Sequence, residues 1–162
     1  MKTNKVLFIT QAAMIAAIYV ALCVAFQPIS YGAIQTRIAE ALTILPFFTP
    51  AAVPGLFIGC LIANLLGGGI VADVICGSAA TLIGAAGTYM LRGRSRLLAP
   101  LPPILANVLI VPWVLKYGYG EPFSIPFLMG TVGIGEILTC GIMGLILVAV
   151  LDRYRSVIFK TA

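Results

Sequence analysis

Histidine is absent from this sequence, and charged residues are scarce. Without histidine, the chain cannot form a Ser-His or Cys-His catalytic dyad, and it has no imidazole to bind zinc or haem or to relay protons. Only 9% of its 162 residues are charged and 61% are hydrophobic, whereas about a quarter of the residues of a soluble domain are charged. We therefore expect a protein of the lipid bilayer, and the absence of histidine disfavours most intramembrane hydrolases.

Several catalytic and metal-binding motifs are also missing. The glycines at 67–69 are not followed by the Gly-Lys-Ser/Thr of a phosphate loop, so we expect no ATP hydrolysis by this chain. No G-x-S-x-G motif and no acid pair at catalytic spacing occurs. We predict no catalytic residues, no cofactor and no metal, and four cysteines that only pack: Cys23, Cys60, Cys76 and Cys140.

Long apolar segments, bounded by charge, proline or glycine, divide the chain into six predicted membrane spans. They cover residues 6–26, 36–48, 51–66, 70–91, 101–115 and 125–151. Because a span takes about 20 residues, no separate soluble domain fits, and residues 1–162 form a single transmembrane domain. We predict an all-α integral membrane protein, a bundle of six transmembrane helices in which spans two and three form a tight hairpin.

Basic residues predict the orientation of this bundle, because lysine and arginine are retained on the cytoplasmic side of a membrane. With six spans, eight of the ten basic residues fall on one side, and the exceptions are Lys116 and Arg37. We therefore predict that the N- and C-termini are both cytoplasmic. This bias accounts for the net charge of +5, so no nucleic-acid partner is indicated. The eight are Lys2, Lys5, Arg92, Arg94, Arg96, Arg153, Arg155 and Lys160.

Small residues at a spacing of four mark surfaces where membrane helices approach closely, since lipid gives helices no hydrophobic reason to associate. The first span carries two such pairs, Ala12 with Ala16 and Ala13 with Ala17. One use of these pairs is packing inside the bundle, and the other is a docking face for a second membrane protein. The sequence alone does not distinguish the two uses.

Four ionisable residues lie inside or at the edge of predicted spans, where a charge costs about 2.5–3.5 kcal/mol on insertion scales. Arg37 and Glu40 are three residues apart and form a candidate structural ion pair on one helix face. Asp73 follows a glycine-rich turn and is predicted to complement the dipole at the start of the next helix. Glu136 has no basic residue within four positions, so we expect it to face a polar cavity.

Two amides, Asn64 and Asn107, lie at similar depth in the third and fifth spans. Each can donate and accept hydrogen bonds, and each could instead join helices, at about 0.6 kcal/mol. Together with Glu40, Glu136 and the indole of Trp113, they predict an outward-facing pocket that stacks a planar ring and binds the polar groups around its edge. Two further aromatic residues stand beyond the indole, Tyr117 and Tyr119.

Five stretches of the sequence resemble the queuosine-precursor transporter (QueT) family. The most specific is Q-T-R-I-A-E-A-L-T-I-L-P-F at residues 35–47, and the others are residues 54–65, 73–78, 101–107 and 133–136. Members of this family are identified as substrate-binding S components of energy-coupling factor (ECF) transporters. The resemblance therefore implies an S component, a multi-pass protein of a prokaryotic plasma membrane.

The resemblance also implies a ligand. The cargo of the family is inferred to be a 7-deazaguanine, either the 7-aminomethyl form or queuine. Glu136 and Glu40 would accept hydrogen bonds from the ring edge and bind the cationic amine, in an order that the sequence leaves open. Asn64 and Asn107 would bind the remaining edge, and Trp113 would stack on the ring.

Partner subunits are a further implication of the resemblance. A transmembrane T subunit and two cytoplasmic ATPases would supply the energy, and the S component is thought to topple in the bilayer to deliver its cargo. The T subunit would dock on the alanine-rich face of the first helix, through Ala12/Ala16 or Ala13/Ala17. The loop 27–35 would be an extracellular lid.

Two alternative functions are compatible with the sequence. One is an S component for another planar vitamin, such as a flavin, a pterin or biotin, although a carboxylate tail would favour an arginine in the pocket. The other is a small membrane scaffold or channel whose buried polar groups only join helices. Co-purification of a T subunit would count against the scaffold.

Overall fold

The computed structural model describes residues 5–27 and 37–154, and every regular element in these ranges is helical. Residues 28–36, which contain nearly all of the predicted lid, lie outside the described residues. The first helix, α1, is Lys5–Ala25, so the predicted span 6–26 is confirmed to within one residue. An apolar, alanine-rich run without glycine or proline favours this helix.

The second predicted span is helical, but it is a 3₁₀ helix, Ile38–Phe47. A 3₁₀ helix has three residues per turn and is uncommon beyond three or four residues, so this ten-residue example differs from the helix type that the apolar pattern favours. Its period aligns Arg37, Glu40 and Thr43 along one side. Three polar side chains therefore share one side of an element whose sequence is otherwise apolar.

The next two helices form a hairpin. α2 is Ala52–Leu66 and α3 is Val71–Met90, close to the predicted spans. The turn between them contains Gly68 at φ +74°, a left-handed conformation that favours glycine. The amide of Gly69 donates to the carbonyl oxygen of Asn64 at 2.9 Å, a bond that satisfies an otherwise unpaired carbonyl at the end of α2.

Two more helices complete the described part of the chain. α4 is Leu101–Tyr117, preceded by a short 3₁₀ turn at Arg96–Leu98. α5 is Ile125–Arg153, 29 residues long, and contains a π-helical segment at Ile137–Met143. Proline occupies the first turn of both α4 and α5, where its missing N–H costs no hydrogen bond. The helices predicted at both positions are confirmed, each with two residues more at its end.

Small residues bring α1 and α2 into close contact. A Cβ atom built on Gly59 would lie 3.1 Å from Ala16 Cα and 2.9 Å from Tyr19 Cβ, and one built on Gly55 would lie 2.7 Å from the carbonyl oxygen of Ala12. Such backbone contacts are typical of paired membrane helices. The Ala12/Ala16 face of α1 therefore packs inside the bundle, against α2.

The 3₁₀ helix lies at the centre of the bundle. It contacts α1, α2 and α3, as well as the π-helical segment and the C-terminal part of α5. Around it the α-helices pack in chain order, α1 on α2, α2 on α3, α3 on α4 and α4 on α5. Polar side chains of the 3₁₀ helix are therefore surrounded by protein rather than by lipid.

Within residues 5–27 and 37–154, four helices are long and apolar enough to cross a membrane. They are α1, α3, α4 with its preceding turn, and α5. The 3₁₀ helix and α2 are shorter apolar helices of ten and 15 residues; at 1.5 Å per residue, α2 reaches about 22 Å. The described part of the chain is therefore an all-helical bundle with the composition of a membrane protein.

Contacts between side chains show which helix ends lie together. Arg96 Nη1 lies 2.9 Å from Asp152 Oδ2, so the loop between α3 and α4 meets the end of α5. Thr49 donates its hydroxyl to Gln11 Oε1 at 3.0 Å, and these two residues line a groove with Leu151. The N-terminal part of α1, the turn after the 3₁₀ helix, the α3–α4 loop and the end of α5 therefore share one end of the bundle.

Candidate functional site

A group of buried polar side chains, here called the carboxylate cluster, surrounds the 3₁₀ helix. Within it, the Tyr19 hydroxyl donates to Glu40 Oε1 at 2.5 Å, joining α1 to the 3₁₀ helix. Both side chains are almost completely buried. Because a buried carboxylate without a partner is costly, this hydrogen bond stabilises Glu40 in the interior. The cluster comprises Tyr19, Glu40, Thr43, Asn107, Glu136 and Cys140.

A second hydrogen bond of the cluster joins α4 to α5. Asn107 Nδ2 donates to Glu136 Oε1 at 2.8 Å. Glu136 is the last residue before the π-helical segment, and such segments often occur at functional sites. The carboxylate is buried, as the sequence predicts, and its partner is an amide from another helix rather than a basic residue.

Cys140 lies one turn after Glu136 and contacts both glutamates. Its Sγ is 3.0 Å from Glu136 Oε2 and 3.2 Å from the carbonyl oxygen of Glu40. One carboxylate oxygen of each glutamate and this sulfur lie within 4.8 Å of one another, a spacing that also suits a metal ion. However, metals bind the thiolate, whereas Cys140 is placed to donate its S–H to oxygen acceptors. The described contacts of Cys140 are therefore those of a thiol.

A small cavity lies beside these carboxylates. Its free volume is about 10 Å³, about the room that one water molecule needs. Pockets for small molecules usually enclose about 300–1,000 Å³, so a ligand enters only if the surrounding side chains move apart. The lining residues are Arg37, Glu40, Asn107, Val111, Val132 and Glu136.

A second polar group, here called the Asp73 cluster, consists of Arg37, Asn64, Asp73 and Tyr119. Arg37 Nη2 lies 3.2 Å from Asp73 Oδ2, and the Tyr119 hydroxyl donates to the same oxygen at 2.9 Å. Asn64 Nδ2 donates to the carbonyl oxygen of Asp73 at 3.3 Å. Asp73 stands in the first turn of α3, as predicted, but its buried carboxylate also joins the start of the 3₁₀ helix to the loop after α4.

Tyr119 belongs to that loop and lies outside the membrane-spanning helices. Partial burial raises its pKa above the ordinary value, and the neighbouring charge of Asp73 and the hydrogen bond to it raise the pKa further. All three causes disfavour the phenolate. The hydroxyl therefore remains a hydrogen-bond donor to Asp73 at physiological pH.

The structure brings together three of the predicted substrate-binding residues, because Glu40, Asn107 and Glu136 line the same cavity. Asn64 belongs to the Asp73 cluster instead. Trp113 is 51% exposed and stacks on Tyr117 with ring centroids 6.1 Å apart. It follows Asn107 by six residues, which is roughly 240° around an α-helix. Most of the polar part of the predicted pocket is therefore assembled, whereas the indole of Trp113 does not line the cavity.

Arg37 and Glu40, the candidate ion pair, each bind a residue on another helix. The ion pair seen for Arg37 is with Asp73, which is 36 residues away in the sequence. Glu40 accepts its hydrogen bond from Tyr19. Both side chains nevertheless line the same cavity. The spacing of three correctly placed the two on one side of a helix, but long-range partners decide their contacts.

Three residues of the carboxylate cluster were not predicted from the sequence. Tyr19 is a polar aromatic residue in the middle of an apolar span, and Cys140 follows Glu136 by one helical turn. Both positions could therefore have been recognised from the sequence as candidate site residues. No sequence pattern identified Thr43, because its position beside Glu40 depends on the three-residue period of a 3₁₀ helix.

The two alanine pairs of α1 have different surroundings. Ala16 is buried and, with Ala12, packs against the glycines of α2. Ala13 and Ala17 are exposed. The first pair is therefore used inside the chain, whereas the second lies on the surface of the bundle.

Comparisons with known proteins add to this geometry. The family model described as QueT transporter matches residues 9–153. A curated relative, the Queuosine precursor transporter QueT of Lactococcus lactis subsp. cremoris (strain MG1363), is 40% identical over 85 residues. This alignment covers 51% of the chain and 50% of the relative, so the chain spans about half the length of the curated relative that it matches. No solved structure matches the chain.

Proposed function

The chain belongs to the QueT transporter family, and from this premise we propose that it is the substrate-binding S subunit of an ECF importer. It captures a queuosine precursor, 7-aminomethyl-7-deazaguanine or queuine, at the outer face of a prokaryotic plasma membrane, and it catalyses no reaction itself. The observation that carries this proposal is the pair of buried carboxylates, Glu40 and Glu136, in an apolar helical bundle.

The chemistry of a 7-deazaguanine matches the polar groups of the site. The ring edge carries an N–H and an amino group, which one carboxylate accepts in a bidentate manner. The aminomethyl substituent is a cation and attracts a second carboxylate. Two buried acids cost stability in a membrane, about 2.5–3.5 kcal/mol each on insertion scales, and a ligand that uses both explains why the bundle contains them.

The apolar part of the cavity supports a flat ring as ligand. Val111 of α4 and Val132 of α5 line the cavity beside the carboxylates, so the faces of a ring would contact aliphatic side chains. Asn64 would reach the ring edge once Arg37 leaves Asp73, because Arg37 both lines the cavity and belongs to the Asp73 cluster. The opening of this ion pair is the proposed entry step.

We propose six membrane crossings with both termini in the cytoplasm. The N-terminal part of α1, the α3–α4 loop and the end of α5 share one end of the bundle. Of the seven basic residues in the described part of the chain, five lie at that end: Lys5, Arg92, Arg94, Arg96 and Arg153. Positive charge of this kind is retained in the cytoplasm. The Asp73 cluster would then lie toward the outer face, where a ligand arrives. The 3₁₀ helix and α2 cross as a short hairpin surrounded by longer helices.

A transmembrane T subunit and two ATPases are the proposed partners, since the sequence has no phosphate loop. The exposed pair Ala13 and Ala17 is the proposed contact with the T subunit. Small side chains there permit close approach of a partner helix, which is the main source of helix association in lipid. Ala12 and Ala16 are excluded from this contact because α2 covers them.

Uptake by cells that lack their own queuosine-precursor import tests this function. One strain expresses the chain alone, a second expresses the T subunit and ATPases alone, and a third expresses all four. We expect labelled 7-aminomethyl-7-deazaguanine to accumulate only in the third strain, and not when the ATPases are inactivated. Uptake by the chain alone would contradict the S-subunit role, whereas uptake of riboflavin but not of the deazaguanine would contradict the substrate.

A further inference from the structure

The two carboxylates of the site differ in the hydrogen bonds that their oxygens make. Both oxygens of Glu136 have a donor in range, Asn107 Nδ2 at 2.8 Å and Cys140 Sγ at 3.0 Å. Glu40 Oε1 accepts from Tyr19, but Glu40 Oε2 is buried and has no hydrogen-bond partner among residues 5–27 and 37–154. Glu40 Oε2 is therefore the acceptor that a ligand can use without breaking a hydrogen bond within the protein.

The charges around the cavity do not balance when every acid is ionised. Arg37 is the basic residue among those that line the cavity, and its guanidinium binds Asp73 at 3.2 Å. This pair neutralises itself, so Glu40 and Glu136 would leave two uncompensated negative charges. The remaining titratable neighbours on the packed helices carry hydroxyl or thiol groups, which cannot become positive: Tyr19, Cys23, Cys60, Tyr119 and Cys140.

The two glutamates are also too close for both to be charged in such surroundings. One oxygen of each lies within 4.8 Å of the other, and both side chains are at most 6% exposed. Like charges at this separation in a low-dielectric interior repel strongly, and carboxyl pairs so placed keep one proton between them. The empty site therefore holds one proton and one negative charge.

We propose that Glu40 is the counter-ion of an ammonium group on the ligand, and that this ammonium displaces the proton that Glu40 and Glu136 hold in the empty site. No covalent bond to carbon changes: the proton passes to water, and an N–H of the ammonium donates to Glu40 Oε2. One positive charge leaves as another enters, so the charge inside the bundle stays constant. Glu136 and Asn107 then remain available to bind the polar groups at the edge of the ring.

This inference rests on the proposed function, because it takes the ligand to be a 7-deazaguanine with an amine on its substituent. It goes further in giving each carboxylate one role and in coupling binding to proton release. A ligand with the same ring but no amine would not displace the proton. The site should therefore discriminate between the two ligands, and only the affinity for the amine should depend on pH.

Titration calorimetry of the detergent-purified full chain tests the exchange. The two ligands are 7-aminomethyl-7-deazaguanine and its 7-methyl analogue, each measured from pH 6 to 8 in buffers of different ionisation enthalpy. We expect the amine ligand to release about one proton per molecule bound, with an affinity that rises about tenfold per pH unit because protons compete with it. The methyl analogue should bind more weakly, release no proton and show the same affinity throughout.

A variant separates the role of Glu40 from the fold. Glu40→Gln keeps the size of the side chain and an oxygen for the Tyr19 hydroxyl, but it removes the charge. We expect the amine ligand to bind this variant at least about tenfold more weakly and without proton release, while the methyl analogue binds as before and shows that the site is intact. Glu121→Gln, a change of the same type in the loop after α4, is the control and should alter neither ligand.

The possible results test the proton exchange, the role of Glu40 and the proposed function separately. Equal binding of both ligands to the unchanged chain, without proton release, would overturn the exchange and leave the proposed function standing. Proton release that persists in Glu40→Gln would overturn the role of Glu40. Failure of both ligands to bind folded protein would overturn the proposed function and this inference together.

Discussion

The hydroxyl of Tyr19 donates a 2.5 Å hydrogen bond to the carboxylate of Glu40, so α1 takes part directly in the candidate site. Ala13 and Ala17 are exposed on a different face of the same helix. One helix therefore contacts the carboxylate cluster on one side and has a small-residue surface on another. A partner that tilts or shifts α1 would change the hydrogen bond that stabilises Glu40 in the interior.

Removal of either group of the Asn107–Glu136 pair should weaken ligand binding. Hydrogen bonds to charged groups contribute about 1.5–3 kcal/mol, so we expect Glu136→Gln and Asn107→Ala each to lower the affinity for 7-aminomethyl-7-deazaguanine by about ten- to 150-fold. Calorimetry measures the change. Trp113→Leu is the control, since Trp113 does not line the cavity, and it should alter affinity little. Unchanged affinity in both site variants would remove this pair from the binding site.

Bulk on the exposed alanine face should block docking without affecting the ligand. Ala17→Trp places a large ring where close helix approach is required, and we expect at least a tenfold drop in the T subunit recovered with the tagged chain. Ile18→Trp is the matched control, because Ile18 is also exposed but lies about 100° away around α1. Equal recovery of the T subunit with both variants would place the interface elsewhere.

A methyl group at Gly59 should destabilise the bundle, whereas the same change at Gly130 should not. A Cβ at Gly59 would meet Tyr19 Cβ at 2.9 Å and the Ala16 backbone at 3.1 Å. Overpacking of this kind costs about 1–3 kcal/mol, so Gly59→Ala should lower Tm in detergent. Gly130 has nothing within 4 Å of such an atom, and Gly130→Ala should leave Tm unchanged or raise it slightly. A lower Tm for Gly130→Ala alone would refute the described α1–α2 contact.

The stability of the folded chain should depend far more on the Asp73 carboxylate than on the Tyr119 hydroxyl. Asp73→Asn removes the carboxylate partner of a buried guanidinium, which costs about 3–5 kcal/mol, whereas Tyr119→Phe removes one hydrogen bond, about 1 kcal/mol. Thermal unfolding compares the two variants. Because the folded pKa of Tyr119 is raised, its contribution should be complete below about pH 10, the ordinary value, and should be lost as the pH rises further. Equal effects of the two variants would contradict this order.

Reporter fusions should place both ends of the chain in the cytoplasm. We expect fusions at Lys160 and in the α3–α4 loop at Arg94 to report a cytoplasmic position, and a fusion in the loop after α4 at Gly118 to report an extracellular one. The three sites lie on the predicted sides of a six-span bundle. An extracellular signal from Lys160 would contradict the proposed number of crossings.

The sequence predicted the helices well because long apolar runs between charges, prolines and glycines leave few alternatives in a membrane. The bounds of α1, α2 and α3 differ from the prediction by one residue. The 3₁₀ form of Ile38–Phe47 was not predictable, because hydropathy does not distinguish a 3₁₀ helix from an α-helix in ten residues. Its central position depends on contacts with four other helices. A local sequence pattern does not predict such contacts.

The candidate site was predictable only in part, for a related reason. Glu40, Asn107 and Glu136 stood out because polar groups are expensive in lipid, and the structure joins them around one cavity. The partner of Arg37 lies 36 residues away, so spacing could not identify it. The choice between the alanine pairs depends on where the glycines of α2 face. Long-range packing therefore determines the contacts that spacing in the sequence does not predict.

Calorimetric titration of the purified chain, without partner subunits, tests the central claim most directly. The ligands are 7-aminomethyl-7-deazaguanine, queuine, guanine and riboflavin, added in parallel to protein shown to be folded by its thermal transition. We expect tight, saturable binding of a deazaguanine with one site per chain, and much weaker binding of guanine, which lacks the aminomethyl substituent. Absence of binding to all four ligands would contradict a capture subunit for queuosine precursors and would favour a scaffold whose buried polar groups only join helices.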